Sequence, residues 1–178
     1  MSKAKQSKAK KADNGKTKVK KSQALRQHVL YLLQKGGAHA SFDDAVKDLP
    51  VAARGQRPKG AEHSPWEILE HMRIAQWDIL EFSRDAKHKS PKWPEGYWPA
   101  APEPPKKTSW DKTLAAFRKD FTAMCELVAD DGTDLYAPIE HGEGQTILRE
   151  ALLLADHNAY HLGEMVLVRR LLGVWPAV

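Results

Sequence analysis

Residues 155–173 read ADHNAYHLGEMVLVRRLLG. Leu154 just before it and His157, His161, Met165 and Val168 within it recur every three or four residues, the repeat of one face of an α-helix, and Gly173 with Pro176 supplies the stop. Carried back to Thr146, the pattern predicts a helix over 146–172, about 40 Å long at 1.5 Å per residue and the longest element of the chain. His157 and His161, one turn apart, share its apolar stripe and should point inward. Two neutral imidazoles buried without partners lose hydration for little return. A shared metal ion resolves that cost, because a neutral imidazole nitrogen is a good ligand for zinc and its neighbours.

Upstream, Ser64-Pro65-Trp66-Glu67 is a strong start signal: Ser64 caps, Pro65 sits at the first helical position and Glu67 returns the capping bond. The helix it opens should reach about Ser83, with Trp66, Leu69, Ile74, Trp77, Leu80 and Phe82 wrapping more than one stripe, as suits packing on two neighbours. Leu25, Val29, Leu32 and Leu33 predict a first helix from Ser22 to Gln34, ended by Gly36-Gly37. Ser41 and Asp44 open a short helix that Leu49-Pro50 closes. Trp110, Leu114, Phe117, Phe121, Met124, Leu127 and Val128 predict another, capped by Thr108 or Ser109 and stopped at Asp130-Asp131-Gly132.

Residues 84–107 hold six prolines, with Trp93, Tyr97 and Trp98 among them, which excludes a regular helix or a central strand. So long a connection reads as an ordered, aromatic lid, and it lets the helices on either side run parallel. No segment alternates with the period of a strand. The fold class expected is all-α, a four-helix bundle with one extra short helix.

Of 178 residues, 42% are hydrophobic and 29% charged, enough for one domain of ordinary size. The net charge of +5 is unevenly placed. Residues 1–22 carry nine lysines against one acid, Asp13, a local +8 that leaves −3 on the remainder, so the folded part is no basic groove for nucleic acid. We expect 1–22 to be a disordered basic tail, either simply solvated or loosely tethered to nucleic acid or another polyanion, and 23–178 to be the folded domain. Cys125 is the only cysteine, which excludes a disulfide framework or a cysteine zinc finger within one chain. No apolar run long enough to span a membrane is present and none follows the lysines as in a signal peptide, so a cytoplasmic protein with no membrane contact is expected.

His71 lies on the helix opened by Ser64, on a face shared with Ile68, Ile74, Ala75 and Phe82, and it too should face the core. Each of these histidines alone reads as a hydrogen-bonded core residue. Together His71, His157 and His161 form three inward imidazoles with a fourth position open, as in catalytic rather than structural zinc-type sites. Asp78 and Glu150, each seven residues from one of them, are expected to orient imidazole N–H groups from behind. Trp93 and Trp98 are expected to wall a pocket. His28 reads as a core residue beside Leu25 and Val29. His63 and His141 read as exposed, Cys125 as unactivated, and Arg169-Arg170 as either an anion site or a response to the helix dipole.

The stretches SPWEILEHMRIAQWDILEFSRD (64–85) and ADHNAYHLGEMVLVRRLLG resemble two helices of the DinB-like superfamily, bacterial four-helix bundles related to thiol-dependent S-transferases and isomerases. The resemblance covers about 23–175. It implies an up-down-down-up bundle whose divalent metal is held by one histidine of the earlier helix and an HxxxH pair of the last, which fall on His71, His157 and His161. It further implies a metal-dependent enzyme that transfers a low-molecular-weight thiol to a small electrophilic molecule, favoured over a hydrolase. Zn²⁺ or Ni²⁺ is the expected metal, with Fe²⁺ a third choice. A homodimer is a further expectation. No nucleotide loop, serine elbow or catalytic carboxylate pair is present, which excludes the commoner enzyme classes. The alternative is a non-enzymatic stress or interaction protein with a structural or vestigial metal site and a polyanion-binding tail.

Overall fold

Residues 23–176 are described in a computed structural model. The lysine-rich segment 1–22, expected to be a disordered tail, lies outside the described residues. The chain forms α1 (residues 23–35), α2 (Phe42–Val46), α3 (Pro65–Arg84), α4 (Ser109–Ala129) and α5 (Ile147–Leu171), with single 3-10 turns at Val51–Ala53 and Glu95–Tyr97. Among the described residues no strand forms; one isolated bridge joins Pro138 to Thr146 just before α5. No described helix is long and apolar enough to cross a membrane.

The helix starts follow from local chemistry. At α3 the Ser64 hydroxyl accepts from Glu67 N at 3.2 Å and Ser64 N donates to Glu67 Oε2 at 2.8 Å, the reciprocal pair of a capping box. Ser41 and Asp44 build the same box at α2, and Thr146 caps α5 through Arg149 N. Thr108 precedes α4 without a side-chain cap bond.

Packing sets the directions. Thr113 of α4 donates to Glu70 of α3 at 2.7 Å, and Gln76 of α3 donates to the Phe117 carbonyl at 2.6 Å, so contacts advance the same way along both helices. The core continues this order: Trp66, Leu69 and Met72 share a cluster with Trp110 and Phe117, and Ile79 and Leu80 share the next with Met124 and Val128. α5 runs against α3, since Leu162, Met165 and Val168 join the first cluster while Ile147, Ala151 and Leu154 join the second. Residues 85–107 span the return between the end of α3 and the start of α4.

Two expectations are corrected. His28 is exposed, because the buried line of α1 passes through Arg26 and Val29. Arg26 lays its stem on the core and donates to the Val128 carbonyl at 2.6 Å, closing the end of α4. Arg169 is no anion site: it is 1% exposed and donates to the Ala45 carbonyl at 2.8 Å and the Val174 carbonyl at 3.0 Å, tying α2 and the C-terminal segment to α5.

Candidate metal centre

α3 and α5 face each other across the level of His71, and the two rings of α5 reach it. His71 Nε2 lies 3.1 Å from His161 Nε2 and 3.1 Å from His157 Nε2, and the three atoms fall within 4.8 Å of one another. Nitrogens bound tetrahedrally at about 2.05 Å from one zinc ion stand about 3.3 Å apart, so the spacing suits a common cation.

The hydrogen bonds behind the rings decide what the facing nitrogens are. His71 Nδ1 is 2.9 Å from the Tyr97 carbonyl, which only accepts, so Nδ1 carries the proton and Nε2 a lone pair. His161 Nδ1 is 2.8 Å from Glu164 Oε2, with the same consequence. Two lone pairs thus meet at 3.1 Å with no proton to place between them, a repulsion that a cation removes. His157 Nδ1 is buried and has no hydrogen-bond partner, so nothing behind this ring fixes its tautomer; its Nε2, 3.1 Å from His71 Nε2, donates to that lone pair when it carries the proton and is a third ligand when it does not. Burial pushes the His71 and His157 pKa values down to about 4, and the neighbouring imidazoles add to the shift. Both rings are therefore in the neutral, ligating form at pH 7. Burial of Glu164 favours its acid form, but hydrogen bonds from His161 and His63 outweigh this and hold its carboxyl below the ordinary range. It is an anion set between two imidazoles.

The three histidines open into a cavity of about 820 Å³. Trp98 stacks on His71, with centroids 3.9 Å apart and planes 2° from parallel, and also on His63 at 3.9 Å and 12°. Trp93 lines the same cavity from its mouth, 69% exposed, its ring edge-on to Tyr97 at 5.4 Å. The proline-rich crossover thus contributes a carbonyl and an aromatic wall to rings that belong to α3 and α5.

Asp78 and Glu150 do not orient the imidazoles. Asp78 accepts from His88 Nε2 at 2.7 Å and from the Tyr97 hydroxyl at 2.5 Å, and it acts on His71 only through Tyr97. Glu150, 2% exposed, pairs with Arg149 at 2.7 Å. Seven residues is two turns, about 10.5 Å along the axis, beyond the reach of a carboxylate to a ring on the same helix. The acceptors are instead the Tyr97 carbonyl and Glu164. Glu164 stands three residues after His161, a spacing at which side chains meet, so it was visible in the sequence. A backbone carbonyl in a loop leaves no such trace. His63, expected to be exposed, lines the cavity and bonds Glu164 Oε1 through Nδ1 at 2.9 Å. Cys125 is buried, and burial raises its thiol pKa, so it is no activated nucleophile.

Among known proteins, the family model of the DinB superfamily matches residues 36–165, a span that runs from the end of α1 into α5 and includes His71, His157 and His161. No curated protein and no solved structure gives a significant match. With the family model covering well over half of its length, the chain belongs to the DinB superfamily.

Proposed function

We propose that the chain is a metal-dependent thiol S-transferase acting on small electrophilic molecules, built as an up-down-down-up four-helix bundle with His71, His157 and His161 as metal ligands. The observation that carries this reading is the meeting of Nε2 lone pairs at 3.1 Å, with the Nδ1 atoms of His71 and His161 already committed elsewhere. A divalent ion held there, Zn²⁺ or Ni²⁺ by the imidazole donor set and Fe²⁺ as a third choice, lowers the pKa of a thiol so that thiolate is present near neutral pH. The remaining work falls to the chain. Tyr97 and Glu164 fix the ring planes and tautomers of His71 and His161. Trp98 shields one ligand ring from water, and the cavity leaves room beside the ligands for a thiol and an electrophile together. Transfer forms a sulfur–carbon bond as a bond at the electrophilic carbon breaks: an alkyl halide loses its halide and the thiol proton goes to solvent, whereas an epoxide oxygen, or the α-carbon of an activated alkene, takes up the electron pair and a proton. Hydrolysis needs the same ligands with water in the thiol's place, and the apolar, aromatic wall favours the thiol.

A thiol-consumption screen of the zinc- or nickel-loaded protein against alkyl halides, epoxides and activated alkenes tests this. Consumption that depends on protein and is lost in His71→Ala is the expected result; no turnover with any thiol contradicts it. The lysine-rich segment 1–22 favours the second reading, a non-enzymatic interaction protein. That reading predicts salt-dependent retention on DNA that disappears on deleting 1–22.

A further inference from the structure

The cavity above the three histidines has a one-sided charge. Among the described residues that line it there is no lysine and no arginine, while Glu62, Asp78 and Glu164 are carboxylates. Its aromatic members are Trp93, Tyr97, Trp98 and Tyr160, two of which stand largely open at its edge: Trp93 of the crossover is 69% exposed and Tyr160 of α5 is 73% exposed. Aromatic faces carry negative electrostatic potential and attract diffuse cations to within about 6 Å of the ring centre. An anionic group would lose hydration there and find no positive side chain in return. Asp78 and Glu164 are already engaged by hydrogen bonds, so Glu62, which is exposed, is the carboxylate left to face a ligand at the rim.

Resting on the metal-thiol reading above, we infer that the site selects thiols and electrophiles whose group distal to the sulfur or the reacting carbon is neutral or a diffuse cation, a quaternary ammonium fitting best. It disfavours those ending in carboxylate, sulfonate or phosphate. The positive charge available to an anion is the metal alone, and the thiolate takes it. Distal recognition therefore falls to the aromatic walls and Glu62.

Three thiols with the same two-carbon spacer test this: 2-mercaptoethyl-trimethylammonium, 2-mercaptoethanol and 2-mercaptoethanesulfonate. Each is titrated into the Co²⁺-loaded full chain, following the sulfur-to-cobalt charge-transfer band. The ammonium thiol should bind at least tenfold more tightly than the sulfonate, with mercaptoethanol between them. In Glu62→Lys the ratio should move at least fivefold towards the sulfonate, and in Trp93→Ala the advantage of the ammonium thiol should fall severalfold. The intrinsic acidities of the thiols are the same against every variant, so the change in ratio reports the cavity. Both substituted side chains are exposed, and the cobalt spectrum before thiol is added verifies that each variant holds its metal. A cobalt-loaded protein that binds the sulfonate as tightly as the ammonium thiol overturns this inference and leaves the metal reading standing. Failure of the wild type to bind cobalt overturns both.

Discussion

Glu164 joins two imidazoles through its two oxygens, at 2.8 Å to His161 and 2.9 Å to His63. An anionic acceptor behind a ligating ring fixes its tautomer and makes the facing nitrogen a better donor, and losing such a partner costs about 10–100-fold in metal affinity. Glu164→Gln keeps the shape but not the charge. We expect its zinc affinity, measured by competition with a chromophoric chelator, to fall by about tenfold or more; an unchanged affinity would show that the carboxylate is incidental. His71 and His157 allow a second test at this scale. Their folded pKa values, about 4, lie below the ordinary 6.5, so between those values the unfolded chain binds more protons than the folded one. The stability tied to these two neutral rings is complete above pH 6.5 and is lost as the pH falls towards 4. Urea midpoints of the metal-free protein should therefore drop from pH 7 to pH 4.5 more steeply in the wild type than in His71→Ala/His157→Ala.

Three of the helix starts were legible because a cap is written in neighbouring residues; the cap expected at α4 makes no such bond. Ser41 with Asp44, Ser64 with Glu67, and Thr146 each stand where their hydrogen bonds are made. Ser64 does more than cap, since its hydroxyl also donates to the Pro102 carbonyl and pins the crossover to the start of α3. Ser64→Ala should destabilise the protein by about 1 kcal/mol through the lost cap, read from urea unfolding; no change would mean that Pro65 and the rest of the first turn suffice. The HxxxH pair and His71 were legible for the same reason: helical spacing puts side chains on a common face. The orienting groups were not. Asp78 and Glu150 were placed by face alone, with the two turns of rise left out, and Tyr97 acts through its backbone. At α1, counting apolar residues selected the face holding His28, whereas the long stem of Arg26 takes the buried place.

Across the whole molecule two clusters of buried side chains flank the histidines, one around Trp66, Leu69 and Met165 and the other around Leu80, Met124 and Leu154. Leu154 is fully buried one turn before His157, and Leu154→Ala should cost about 2–5 kcal/mol of stability. A smaller loss in urea unfolding would show that this core collapses easily around the gap. The all-α class and the membership of the DinB superfamily were already carried by the two helical stretches quoted from the sequence. The crossover's route over the site depends on long-range packing that proline content alone does not specify. The central claim, that the fold brings three ring nitrogens together to hold one ion, is met most directly by elemental analysis of protein made without a polyhistidine tag. The account predicts roughly one zinc, nickel or iron ion per chain, and loss of that ion in a His157→Ala/His161→Ala variant whose circular dichroism is still helical. A folded wild-type protein that remains free of metal after incubation with all three ions, or a double variant that keeps the full complement, would contradict it.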